Sequence, residues 1–178
     1  DKDGDEADVT YDDSNDFTAR EAMRTRAFWL ISAGHGLGVL VVGIVMVHAV
    51  VHMNENLGYS LTRSASVISL LTALSIVGNL VGGYLGDRFN KRYLAAACML
   101  VSGGALFLLG VANAFWMLIL FAVMQGLAHG VRGVLMQPMR ADYFGRKQFA
   151  TIMGFSSMIV MWGMTGGPII AGYMADTL

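Results

Sequence analysis

The stretch YLAAACMLVSGGALFLLGVANAFWMLILFAVMQGLAHGV, residues 93–131, lies between Arg92 and Arg132 without one charged side chain. As a single helix its 39 residues would extend about 58 Å at about 1.5 Å per residue, roughly two thicknesses of bilayer hydrocarbon. The polar break near its middle is Asn113, between Ala112 and Ala114, so the chain is predicted to turn there and form two spans. Three further uncharged runs have the length of one span each: 28 residues between Arg26 and Glu55, 23 between Arg63 and Asp87, and 28 between Lys147 and Asp176. Helices are predicted over about 27–51, 64–85, 94–111, 115–137 and 149–174. Hydrocarbon offers the backbone no water, so only helices and closed barrels cross it, and runs this long without strict alternation are not barrel strands. The predicted fold class is all-α integral membrane, with five transmembrane helices.

Composition agrees. Of the 178 residues 14% are charged, against about 25% in an average soluble domain. The charges are also uneven: residues 1–26 hold nine of the 13 acids and four of the 12 cations, a net −5, and the remaining body nets +4. This excludes a soluble single domain and a disordered protein, and the lone Cys98 excludes a disulfide scaffold. Residues 1–26 read as an acidic, largely disordered linker with the composition of a chain that buries no core. Thr18 and Glu21 at its end have the spacing of a capping box for a short helix. The chain has no signal peptide and does not begin with Met, which suggests a piece of a longer protein. If successive helix ends alternate sides, Arg20, Arg24, Arg26, Arg88, Lys91, Arg92, Arg140, Arg146 and Lys147 share one side and Arg63 stands alone on the other. The positive-inside rule then puts the nine, and the N-terminal tail, in the cytoplasm of a multi-pass protein of the cell (inner or plasma) membrane. No nucleic-acid partner is implied.

Two loops carry the most specific pattern. Residues 83–92 read GYLGDRFNKR, and residues 142–147 read DYFGRK. An Asp beside clustered cations at a helix terminus makes a surface charge network that could latch neighbouring helices; the plainer reading is anchoring at the membrane surface. Together the loops resemble the G-x-x-x-D-R-x-G-R-K signature of the major facilitator superfamily, which follows the second helix of each six-helix half. Gly83, Asp87, Arg88, Lys91 and Arg92 match it, and Asp142, Gly145 and Arg146 repeat part of it. Asn90 stands where the family prefers Gly, and its tolerance of left-handed backbone should preserve the turn. The resemblance covers residues 20–176. It implies helices seven to eleven of a twelve-helix secondary transporter that moves a small solute by alternating access, an organic anion being one option. The partners it implies are the bilayer, the solute and an N-terminal half outside this chain, and the two loops would form a cytoplasmic gate. A finer similarity is to bacterial monocarboxylate and oxalate/formate porters, in which an Arg of the eighth helix commonly pairs with a substrate carboxylate. Asn79 occupies that position here.

Polar groups inside the spans are the candidate binding residues. Gln125, His129 and Arg132 fall at i, i+4 and i+7 on one helical face. Arg132 lies about five residues from the predicted helix end, so it either snorkels to the headgroups or faces a solute path. His35 either bonds a backbone carbonyl or contacts solute and protons. In the family frame both helices line the cavity, which makes His35, Asn79, Gln125, His129 and Arg132 the substrate-binding set. No Asp or Glu lies inside a span, so any proton or other ion coupling would fall to His35, His129 or the other half; no further cofactor is implied. His48 and His52 have the H-x-x-x-H spacing, but two ligands make a poor metal site and interfacial placement is the plainer reading. Glycine ridges at Gly34/Gly38, Gly78/Gly82/Gly86 and Gly126/Gly130 suit close helix packing or sliding. Gly167 and Pro168 should kink the last helix, as structure or as hinge. Ser156 and Ser157 would satisfy the backbone near that kink or face the cavity. The rival functions are a non-transporting membrane scaffold and a histidine-based membrane enzyme; an enzyme is not the favoured reading.

Overall fold

The computed structural model describes residues 16–177. Its helices are α1 (Ala19–Arg24), α2 (Arg26–Val51), α3 (Leu61–Arg88), α4 (Lys91–Gly110), α5 (Phe115–Phe144) and α6 (Phe149–Thr177), and a π-helical turn, His52–Asn56, continues α2. The five long helices are each apolar and long enough to cross a membrane. The predicted turn near Asn113 separates α4 from α5.

The helix ends differ from the prediction in instructive ways. Asn90 is not left-handed: at φ −64° and ψ 114° it caps α4, and its side chain accepts a hydrogen bond from the Arg92 N–H. The left-handed positions are Gly58 and Gly145, at φ 71° and 73°. Gly145 ends α5, where such a φ favours a residue without Cβ. The largest difference is α5 itself, predicted to stop at Gln137. It continues through Pro138 to Phe144, so Asp142 lies in its last turn and not in a loop. Proline is a breaker in water, but inside a membrane bundle it costs one backbone bond and neighbouring groups absorb the loss.

α5 is the centre of the bundle. It packs against α3 and α4, and α2 pairs with α6. Accordingly 56% of the α5 span is buried, against 17–28% of the other four. The α3–α5 crossing is a backbone contact. A Cβ on Gly78 would lie 2.7 Å from the Leu127 carbonyl oxygen, and one on Gly130 would collide with that of Ser75. The predicted ridges on these two helices are therefore packing surfaces. On α2 the contact is made by Gly36, whose carbonyl lies where a Cβ on Gly163 of α6 would stand, and not by Gly34, which faces open space. Ser156 likewise meets α2: its hydroxyl is 2.8 Å from that of Ser32, both buried.

The acidic linker is folded from its last residues onward. Thr18 and Glu21 form the capping box of α1. Thr18 holds the Glu21 carboxyl below the usual carboxylate range through its backbone and side-chain hydrogen bonds. The segment docks on the α5–α6 connection. The Phe17 N–H donates to the Phe144 carbonyl at 3.1 Å, the Ala19 N–H to Gln148 Oε1 at 2.8 Å, and the Arg146 N–H to Asp16 Oδ1 at 3.0 Å. Ala22, Phe28, Phe144 and Ile152 form a small core beneath it. The remainder of the predicted disordered linker, residues 1–15, lies outside the described residues.

Gly130→Leu should lower the thermal stability of the full-length protein in detergent by about 1–3 kcal/mol, the usual cost of overpacking. Gly103→Ala, where a Cβ meets nothing, should leave it unchanged. The depressed Glu21 pKa means that its contribution to α1 docking is complete above the unfolded value and fades as pH falls through the folded one. Amide protection factors at residues 19–22, corrected for the intrinsic pH dependence of exchange, should therefore fall in acid, and Glu21→Gln should remove that acid dependence.

Candidate functional site

The length of α5 changes the meaning of Arg132. It sits twelve residues before the helix end, not five, which is about 18 Å of rise and beyond any snorkelling reach. Its side chain is 3% exposed. The guanidinium occupies the space above Gly38 of α2, where any Cβ would collide with it. Its Nη1 is buried with no hydrogen-bond partner. A cavity of about 450 Å³ opens beside it between α2, α4 and α5, lined among others by His35, Gly34, Arg92, Met136 and Tyr143.

A second buried cation lies about 12 Å further along the same helix. Arg140, 2% exposed, donates from Nη2 to His35 Nδ1 at 3.0 Å and from Nη1 to the Met136 carbonyl at 3.4 Å. Sequence reasoning placed Arg140 among the surface cations because it ended the helix before Pro138. Extending α5 through that proline would have found it: Arg140 follows His129 by eleven residues, about three turns, and shares its face.

The predicted binding residues are only partly assembled. His35 and Arg132 share the cavity, and His129 is within electrostatic range of both. Gln125 is buried further along α5, and its Oε1 and the His129 Nδ1 lack partners. Asn79 is exposed on α3, its Oδ1 3.8 Å from where a Cβ on Gly133 of α5 would stand, and is not among the residues lining the cavity. His48 Nε2 lies 3.1 Å from the Pro168 carbonyl, and His52 Nδ1 lies 3.0 Å from Asn56 Nδ2. No group of three His, Cys, Asp or Glu among the described residues could hold a metal ion. Gly167 and Pro168 lie within continuous α6, with a Cβ on Gly167 only 2.7 Å from the Leu40 carbonyl oxygen, so this segment is packed tightly on α2.

At the arginine-rich end the two motif segments meet. Lys91 Nζ pairs with Asp142 Oδ2 at 2.7 Å. Arg88 stacks over Tyr84 at 4.3 Å, and Arg92 lies over Tyr143 at 5.7 Å. Asp87 is exposed, with no partner among the described residues, and Gly83 borders open space. The Arg146 backbone is held by Asp16, and Gly145 forms the α5 terminus.

Five apolar helices, an arginine-rich end with paired motif segments, and a largely apolar cavity bordered by buried arginine at the central helix describe a multi-pass membrane protein. The model of the Major Facilitator Superfamily matches residues 28–178. The chain belongs to that superfamily. It is 23% identical over 162 residues to the benzoate transport protein of Acinetobacter baylyi, covering 89% of this chain and 33% of that protein. To monocarboxylate transporter 10 of Danio rerio it is 27% identical over 135 residues, covering 74% and 26%. To the multidrug transporter protein MdtP of Bacillus subtilis it is 29% identical over 121 residues, covering 68% and 22%. The chain thus spans about a third or less of the length of these relatives.

The Lys91–Asp142 pair is partly exposed, at 27% and 57%. A double-mutant cycle on thermal stability should give a coupling of less than about 1 kcal/mol, as for other exposed pairs. A coupling of several kcal/mol would show that the two segments are locked together far more strongly than solvent screening permits.

Proposed function

We propose that the full-length protein is a secondary transporter of a small organic anion, working by alternating access in the cell membrane, and that Arg132 is the anion's partner. The observation that carries this is a guanidinium deep in a span, with an unpartnered Nη1, beside a cavity. A buried charge left uncompensated costs several kcal/mol. The acids of the described residues, Asp16, Glu21, Glu55, Asp87, Asp142 and Asp176, all lie at or beyond helix ends. A carboxylate entering the cavity would supply the missing charge in the forked geometry that guanidinium prefers. The relatives named for benzoate and monocarboxylates support this class of cargo. The multidrug relative makes the charge of the site, and not the family, the deciding argument.

The helix arrangement supports the mechanism. α6 packs on α2 as α3 packs on α5, which is the pattern of two inverted three-helix repeats. In that pattern α4 on α5 has its counterpart in a twelfth helix on α2. The first half of the transporter would face the polar stripe of α5 and the unpaired Asp87. The positive-inside rule puts the arginine-rich end and the N-terminal linker in the cytoplasm. Asp87, Arg88, Lys91, Arg92 and Asp142 would then form its gate, and Gly167 and Pro168 a bend in α6.

Benzoate is a suitable probe carboxylate. Full-length protein in nanodiscs should bind it, and Arg132→Ala should weaken binding at least about 30-fold, the usual cost of truncating one partner of a buried charge pair. Arg132→Lys keeps the charge but not the fork and should fall between. Gly38→Ala should mimic Arg132→Ala by driving the guanidinium from its place. Unchanged benzoate affinity in Arg132→Ala would sink the reading.

A further inference from the structure

We propose that the cavity beside Arg132 takes carboxylates with a bulky apolar body, and that Gly34 is the residue that sets their size. This rests on the anion reading of Arg132 and adds to it the class of solute and the position that determines its shape.

Glycine in mid-helix weakens the helix and is kept where a side chain would be in the way. Gly36, Gly78 and Gly130 meet neighbouring backbone, and Gly38 makes room for the Arg132 guanidinium. Gly34 has neither reason: a Cβ there would meet no atom within 4 Å. The space in front of it is the cavity, which Gly34 lines together with Arg132. The lining of α5 runs from Arg132 to Tyr143, about 16 Å of rise, and that of α2 runs from His35 back to Ala27. The whole cavity thus extends from Arg132 toward the arginine-rich end. Gly34 lies one turn, about 6 Å, from Gly38 in that same direction. A carboxylate held by Arg132 must therefore lay its body over Gly34.

The walls along that path are apolar. Ile31 of α2, Met99 of α4 and the buried Met136 and Met139 of α5 line it. Polar lining groups stand at the two ends, His35 and Arg132 at one and Arg92 over Tyr143 at the other. Between the ends a hydroxyl or a second carboxylate would lose its hydration without a partner, whereas carbon gains by leaving water. Thioether side chains adapt to rings and branches of different outline, so this wall selects for apolarity and not for one shape. The volume of about 450 Å³ lies in the range of about 300–1,000 Å³ that takes ring-bearing ligands, and a short-chain acid would leave most of it empty. Any side chain at position 34 would project into this volume beside the carboxylate, which makes Gly34 the size determinant.

Competition against labelled benzoate on the full-length protein in nanodiscs tests this, with propionate and naphthoate as competitors. Binding that survives in Arg132→Ala is subtracted, which removes partitioning into lipid. Naphthoate should bind at least about 100-fold more tightly than propionate, the effect of burying several more carbons. Gly34→Leu should weaken naphthoate at least about tenfold and leave propionate within about twofold, because the leucine fills the space of the body and not that of the carboxylate. Gly34→Ala should fall between. Thermal stability of Gly34→Leu without solute should not drop, since the new side chain displaces nothing. A drop would mean that the space is filled in the full-length protein and overturns the proposal. Arg132-dependent binding in which propionate matches naphthoate, or a Gly34→Leu variant that changes both acids equally or neither, overturns the proposal and leaves the anion site standing. The absence of any Arg132-dependent carboxylate binding overturns the anion site and this inference with it.

Discussion

Everything about the central cavity depends on the backbone contact between α3 and α5. In lipid no hydrophobic force draws helices together, so close approach through small residues and the van der Waals contact it permits must do so. Gly78 and Gly130 bring the two backbones together where any side chain would be in the way. This fixes α5 against α3 while α4 covers its flank. A helix held on two sides carries its polar residues away from both lipid and headgroups. The burial of Gln125, Arg132 and Arg140 is therefore a consequence of glycines on a neighbouring helix and not of any property of the polar residues themselves.

Glycine serves a second and physically different purpose on α2. Gly36 touches α6 backbone, as Gly78 touches α5. Gly38, about half a turn away, has the Arg132 guanidinium as the nearest group to where a Cβ would stand; its missing side chain is the room in which that guanidinium lies. The first use sets helix spacing, and the second sets where a charge can stand. A sequence ridge of small residues does not distinguish them, since both read as small-x-x-x-small. That is why Gly34/Gly38 looked like a packing ridge when Gly36 was the packing residue.

The architecture was legible because it follows from few and strong constraints. Runs of uncharged residues must cross the bilayer as helices, and a 39-residue run must turn. The capping box at Thr18 and Glu21 was equally legible, because its chemistry is local. Legibility failed where a local rule was overruled by neighbours. The predicted helix ended at Gln137, but only the next residue, Pro138, marks a stop locally and the surrounding bundle makes it tolerable, so the last two turns of α5 lay outside the predicted span. Arg140 went with them, counted as a surface cation when it is 2% exposed. Asn79 is exposed on α3 and apart from the cavity beside Arg132: its place was inferred by position in a family pattern, and position along a helix does not say which way the helix is turned.

The packing also says where this half of the molecule is least bound to itself. α2 and α6 form one tightly packed pair, and α3, α4 and α5 form another unit. Between the two units, Val45, Ala49 and Met53 at one end of α2 join a buried apolar cluster with Leu71, Phe121 and Ala122, while nearer the other end Arg132 lies over Gly38 and Arg140 bonds His35, with the α1 segment bridging the ends through Phe17 and Phe144. Apolar packing between glycines is insensitive to solute or pH. The part of the seam made by cations and an imidazole responds to both, because an anion or a proton changes its charge directly. A bistable element needs ligands that interact differently with its two states, and only the charged seam offers such ligands a grip. The chemistry of this half is thus placed where movement between its packing units would be felt, and its rigid contacts are built from residues that carry no charge.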